Sequence, residues 1–351
     1  MEGYNKKVIM SYWTICRMKT TKKIYVKVSI IFLLGGILLF SSCEKEENQK
    51  IEANRKTLFM YLPWSSNLTN YFYNNISDLE KCITKIGLNN EKVIVFISTG
   101  STEAMMFEIV SSHGRCKREI LKKYKSPPFT TIDGITAILN DVKAFAPASV
   151  YTMIIGCHGM GWLPVYEMKV RSAPHMKMHW EYQGVPLTRY FGGLTAEYQT
   201  DIKSLASGIA NAGMKMEYIL FDDCYMSSIE VAYELKDVTK YLIGSTSEMM
   251  AYGMPYAAIG EYLLGNPDYQ SGCEEFYNFY STYEIMPCGT LAVTDCSELE
   301  NMAAIIKSIN SKYSFDKSLR GTIQRLDGYT PVIFYDFADY ITSLCNDPIL
   351  L

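Results

Sequence analysis

Five short runs of apolar, β-branched and aromatic residues recur along the chain: KTLFMYL at 56–62, EKVIVFIS at 91–98, VYTMIIGC at 150–157, MEYILFD at 216–222 and YLIGS at 241–245. Runs this short and this continuously apolar read as strands buried on both faces, the kind that parallel sheets contain. Between them, Asn70 to Ile86, Thr131 to Phe145, Thr200 to Ala212 and Met226 to Val238 repeat apolar residues at helical spacing, with Thr131 or Asp133 placed to cap the second. Helix and strand alternating in this way predict an α/β domain, a largely parallel central β-sheet flanked by helices. Met106 to Ser111 and Cys116 to Tyr124, around His113-Gly114, add a β-hairpin. Leu163 to Thr195 keeps no period and holds Pro164, Pro174 and Pro186, so it is expected to be a long loop, a kind of segment that is usually functional or disordered.

A chain of 351 residues, 48% of them hydrophobic, can bury the core of one large domain or two moderate ones. Its 34 basic residues stand against 37 acidic ones. That balance leaves no electrostatic footprint for nucleic acid and no basic stripe for a membrane surface. A monomer is expected.

The N-terminal segment follows a different logic. Lys19, Lys22, Lys23 and Lys27 precede an apolar run from Val28 to Phe40 that is too short to span a bilayer, and Ser41 and Ser42 lead into Cys43. The order is that of a secretory signal peptide over residues 1–42, with Met18 a better start than Met1. Phe40-Ser41-Ser42-Cys43 resembles a bacterial lipobox, with Phe40 where leucine is usual, and makes Cys43 the expected lipidated residue. The plainer alternative is an uncleaved signal anchor. Glu44 to Lys50 is polar and charged, so 43–54 reads as a flexible tether ahead of a folded domain at 55–351. The expectation is an exported lipoprotein, periplasmic or on the cell surface, that meets the membrane only through its lipid.

Cysteine usage agrees with export but not with a disulfide scaffold. Setting aside Cys16 and Cys43, the remaining cysteines are 82, 116, 157, 224, 273, 288, 296 and 345, with no CxxC pair and no repeated spacing. Most are expected to be small buried hydrophobes.

Two motifs carry chemistry. Cys157-His158-Gly159-Met160-Gly161-Trp162 follows one predicted strand, and Asp222-Asp223-Cys224 follows the next. A right-handed β-α-β crossover brings both strand ends to one edge of the sheet, where neighbouring strands lie about 4.7–4.9 Å apart and where open parallel sheets bind ligands. His158 and Cys224 are therefore expected to face each other. A thiolate can attack an acyl carbon while a nearby imidazole favours the anion and protonates the departing amine. The amides of Gly159 and Cys224 are candidate donors to an oxyanion. Cys224 also falls where a helix is expected to start, whose N-terminal dipole would favour the anion, whereas Asp222 and Asp223 would oppose it if turned inward. A carboxylate here is better suited to receiving a cationic side chain of a substrate. A strand-end cysteine taken alone is more often core than nucleophile, and spacing by itself leaves both readings open.

The residues themselves carry a resemblance. His158 to Trp162 as His-Gly-x-Gly-Trp, with Asp222 to Glu230 as Asp-x-Cys-x-Met-x-x-x-Glu, resembles the clostripain family of cysteine peptidases, related in fold to caspases and gingipains. KTLFMYLPWSSNL, Asp78-Leu79-Glu80, EVAYELKDVTKY and Gly253-Met254-Pro255-Tyr256 extend the likeness over roughly Lys56 to Ala338. The resemblance implies a caspase-like sandwich and an endopeptidase dyad without need of a third member, Cys224 as nucleophile and His158 as general base and acid. It further implies that Asp222 floors the pocket for a P1 Arg or Lys. Some relatives carry a second pocket acid where this chain has Tyr252, a departure that would weaken basic selectivity, and Asp223 either compensates or points to solvent. Relatives are made as zymogens cut once in a segment comparable to 163–195, which makes Lys169 or Arg171 the expected self-cleavage site and protein or peptide chains the expected partners. No cofactor is required, calcium is a compatible ligand, and relatives continue past the equivalent of Leu351.

Weaker signals remain. His175 and His179 have HxxxH spacing, but Pro174 and the loop context favour chance. Gly159-Met160-Gly161 lacks the third glycine of a dinucleotide fingerprint. Met226, Ile229 and Tyr233 read as the buried face of one helix. The rival function is a catalytically inactive surface lipoprotein that binds peptides or glycans on the same scaffold, against which the intact His158 and Cys224 argue.

Overall fold

The computed structural model describes residues 54–163, 165, 191–284, 287–329 and 332–345. Eight strands form one sheet in the order β4-β3-β2-β1-β5-β6-β7-β8. The central strands β1 (Asn54–Leu62), β2 (Glu91–Ser98), β5 (Ala148–Ile155), β6 (Met216–Phe221) and β7 (Thr239–Gly244) pair in parallel. Antiparallel strands close both sides, β3 (Glu103–Ser112) and β4 (Arg115–Lys125) beyond β2, and β8 (Ala292–Asp295) beyond β7. The hairpin between β3 and β4 turns at His113 and Gly114, with φ of 51° and 69°. Two consecutive left-handed residues match the right-handed twist of the flanking strands.

Alternation along each central strand feeds two cores. Leu58, Met60 and Leu62 of β1 and Val93, Val95 and Ile97 of β2 pack on one face, against α1 (Thr69–Ile86), α5 (Tyr256–Leu263) and α6 (Tyr269–Ser281). Phe59, Tyr61, Ile94 and Phe96 serve the other face, against α2 (Ile132–Phe145), α3 (Ile202–Asn211) and α4 (Ile229–Leu235). The runs are apolar throughout because both faces of the central strands are covered, and each fully buried Leu, Val or Phe contributes about 1.5–3 kcal/mol. Two further helices, α7 (Leu299–Lys312) and α8 (Phe337–Leu344), help enclose a smaller cluster around Ile309, Ile341 and Leu344.

The α4 helix departs from the sequence expectation. It begins at Ile229, because Ser228 caps it by accepting from the Val231 amide while Ser227 N–H is drawn to the carbonyl of Ser245 beyond β7. Its buried residues are Val231, Ala232 and Leu235, and Tyr233 is 41% exposed. The stripe expected at Met226, Ile229 and Tyr233 is therefore not the buried face. Met226 is buried as part of the loop after β6, not as part of the helix.

Because β1, β5 and β6 run the same way, all their carboxyl ends reach one edge of the sheet. The first residue of β1, Asn54, pairs with Ala148 at the opposite edge.

Candidate active site

β5 and β6 end in register, Ile155 opposite Phe221, and both motifs extend from that point. The carbonyl of Ile155 accepts the Asp222 amide at 2.8 Å. One residue on, Asp223 Oδ1 accepts the Cys157 amide at 2.6 Å, and its Oδ2 lies 3.6 Å from the Cys157 thiol. Asp223 is fully buried. The two roles expected of it, pocket acid or solvent-facing acid, both give way to a third, in which it staples the two strand ends together. Gly159 completes the junction: a Cβ on it would stand 2.4 Å from the Cys224 carbonyl oxygen and 2.9 Å from Asp223 Cβ. Any side chain there would push the loop of His158 away from the loop of Cys224.

His158 and Cys224 are each only 1% exposed. The His158 amide donates to the Gly192 carbonyl at 3.1 Å, and its ring Nε2 lies 2.7 Å from Asn67 Oδ1. Asn67 belongs to the loop that joins β1 to α1, and the residue before it, Ser66, is held at φ 70°. Ser66 Oγ accepts the Leu194 amide at 3.3 Å, so the segment that follows the histidine loop in space also fastens the loop that carries Asn67. Sequence reasoning missed Asn67. The available signal was its place just past the carboxyl end of a central parallel strand, the edge where such sheets collect ligands.

Cys224 does not start a helix. It lies in a turn, Tyr225 follows at φ 58°, and α4 begins only at Ile229, so the expected dipole at the thiol is not present. What orders the sulfur is Met249, whose amide donates to Sγ at 3.1 Å and whose carbonyl lies 3.5 Å from it. Tyr225 is anchored by its own amide on the Ser247 carbonyl and by stacking on Phe334, 4.4 Å between centroids and 6° between planes. Tyr329 donates to Met160 Sδ at 3.2 Å. Residues near the C-terminal end of the described chain thus pack against both the loop of His158 and the loop of Cys224.

Asp222 is 1% exposed, and its oxygens accept from the Met254 amide at 2.8 Å and the Tyr256 hydroxyl at 3.0 Å. Tyr252, where a second acid was missing, donates its hydroxyl to Asp78 Oδ2 at 2.9 Å. Burial first, then that hydrogen bond and the Asp78 charge, hold the Tyr252 hydroxyl above its ordinary range, and the charge of Asp222 adds to the effect. An acid is therefore present near this position, but it comes from α1 rather than from the loop after β7. Asp78 was read only as part of a family-like stretch, because nothing in the sequence connects it to Tyr252.

Cys43, Lys169, Arg171, His175 and His179 lie outside the described residues. Among the described residues no group of three or more His, Cys, Asp or Glu could hold a metal ion.

A thiol and an imidazole beyond neighbouring carboxyl ends of a mainly parallel sheet, with antiparallel strands at both sides, define the class: a thiol-dependent hydrolase on a caspase-like sandwich. The chain belongs to the clostripain family, whose model matches residues 60–346. It is similar to a secreted C11 cysteine protease from Bacteroides thetaiotaomicron described as iotapain, at 60% identity over 85% of this chain and 82% of that one, with a TM-score of 0.78. The fold is also that of an inactive zymogen C11 protease from Parabacteroides distasonis, at 24% identity over 84% of this chain and 79% of that one, with a TM-score of 0.69. No curated protein matches. The protein is a cysteine-type endopeptidase.

Proposed function

We propose that Cys224 and His158 form the catalytic dyad and that cleavage follows Arg or Lys at P1. The observation that carries the reading is the junction in which Asp223 grips the Cys157 amide while Gly159 lies against the Cys224 carbonyl. It brings the histidine loop and the cysteine loop together by a side-chain-to-backbone hydrogen bond and a close backbone approach that tolerate little displacement. The Cys224 proton passes to His158, sulfur attacks the scissile carbonyl, and the Gly159 and Cys224 amides receive the oxyanion. His158 returns the proton to the leaving amine. Water, deprotonated by the same ring, then hydrolyses the thioester.

Asp222 is proposed to receive the P1 cation. The Met254 amide and the Tyr256 hydroxyl orient its carboxylate, the group that a guanidinium or ammonium would bond. Tyr252 adds the Asp78 carboxylate to the same neighbourhood.

The proposed resting form is latent. A nucleophile and a base that are each 1% exposed support this, because a substrate carbonyl cannot reach a covered sulfur. Activation by self-cleavage after Lys169 or Arg171 fits a pocket that selects basic side chains. Export is proposed from the signal-like N-terminus together with the description of the iotapain relative as secreted, and anchoring from the lipobox at Cys43.

The test compares wild type with Cys224→Ala and His158→Ala on a peptide library varied at P1, with denaturing gels alongside. Both variants are expected to lose turnover while staying folded, and wild type is expected to show two fragments where Cys224→Ala shows one band. Turnover in either variant refutes the dyad. An active, uncut wild type rules out self-processing as the switch.

A further inference from the structure

The hydrogen bond between Asn67 and the ring of His158 does more than satisfy a buried nitrogen. Asn67 is itself exposed, so packing does not hold its side chain, and yet its Oδ1 stands 2.7 Å from Nε2. The backbone that delivers it is in an unfavourable conformation. Of the non-glycine residues in the left-handed region among the described residues, Ser66 immediately precedes Asn67 and Tyr225 immediately follows Cys224. Left-handed backbone at a non-glycine residue persists only where surroundings over-determine it, and such residues cluster at functional sites. Here the surroundings are visible, since Leu194 donates to Ser66 Oγ, Asn67 N–H bonds the Ser65 carbonyl, and a Cβ on Gly193 would meet Ser66 Oγ and the Trp64 carbonyl.

We propose that Asn67 is a positioning residue that fixes the tautomer and orientation of the catalytic imidazole. An amide oxygen can only accept, so Nε2 carries a proton in both charge states of the ring, and Nδ1 is the nitrogen that takes the thiol proton and gives it to the leaving amine. The same contact stabilises the imidazolium formed when the thiol ionises, because Oδ1 then accepts from a charged donor. Asn67 touches neither substrate nor sulfur in this role. It acts through His158.

The inference rests on the Cys224–His158 reading, which wild-type turnover and the dyad variants test separately. The experiment uses full-length enzyme incubated to constant activity, with kcat and KM measured across pH for wild type, Asn67→Ala and Asn67→Asp. Loss of one hydrogen bond to a charged group lowers kcat about 10- to 100-fold in Asn67→Ala, with KM nearly unchanged. Asn67→Asp, almost the same shape, keeps an acceptor and adds a charge that favours the protonated ring, so its alkaline limb moves to higher pH, while that of Asn67→Ala moves lower. A 15N-histidine spectrum of Cys224→Ala, with four histidines to assign, is expected to show His158 protonated at Nε2. Wild-type kcat in Asn67→Ala, limbs that do not move in either variant, or a proton on Nδ1 instead of Nε2 would each overturn the proposal.

Discussion

Asp223 accepts the backbone N–H of Cys157 at 2.6 Å, tying the turn after β6 to the turn after β5 across the gap where the sheet's own ladder has ended. The paired register of β5 and β6 ends at Ile155 and Phe221, and the Asp222 amide on the Ile155 carbonyl is its last bond. Beyond them this carboxylate, with the close approach of Gly159, holds the loop of His158 against the loop of Cys224. Removing it leaves a buried amide without its acceptor, a loss of about 1–3 kcal/mol. Asp223→Ala is expected to lower the unfolding free energy measured in urea by that amount and to reduce kcat, whereas Asp223→Asn, which keeps an acceptor oxygen, should retain most of both. An alanine variant as stable and as active as wild type would refute the staple.

On the proposed assignment, Asp222 and Tyr252 should divide the P1 preference unequally. A hydrogen bond to a charged group is worth about 1.5–3 kcal/mol, so Asp222→Asn should cut kcat/KM for Arg substrates by roughly 10- to 100-fold and leave neutral P1 substrates nearly unchanged. Tyr252→Phe removes only the link to Asp78, a neutral donor, and should cost Arg substrates a few-fold. The assignment fails if the wild type prefers neutral or acidic P1 residues, or if both variants lower all substrates alike.

Alkali should unfold the protein in a defined window. Burial pushes the Cys82, Cys273 and Cys296 thiols up to about 11 from an ordinary 9.0, and holds Tyr61, Tyr124 and Tyr218 above an ordinary 10.0. Each folded-state value is raised, so above pH 9 the unfolded chain has lost protons that the native state keeps. Stability is then complete below pH 9 and falls as pH rises toward 11. Thermal melts at pH 7, 9 and 10.5 should show a midpoint that is flat over the first interval and drops over the second. A midpoint unchanged at pH 10.5 would sink the argument.

How much of this was legible in the sequence depends on the range of the interaction. Strands β1, β2, β5, β6 and β7 were visible because burial on both faces leaves a continuous apolar run, and Thr131 caps α2 as its position suggested. The placement of His158 and Cys224 beyond neighbouring strand ends was visible because each motif directly follows an apolar run. The start of α4 was misread, since the pull of Ser245 on the Ser227 amide is a long-range contact that overrides a helical pattern beginning at Met226. Asn67 and Asp78 were passed over for the same reason. Their partners, His158 and Tyr252, are 91 and 174 positions away, and only the assembled sheet brings them together.

The entry of the chain at Asn54, level with Ala148 on the edge opposite the dyad, gives the enzyme a direction. The eight residues of β5 span about 26 Å at roughly 3.3 Å per residue, so Asn54 and Cys224 lie toward opposite poles of the sheet.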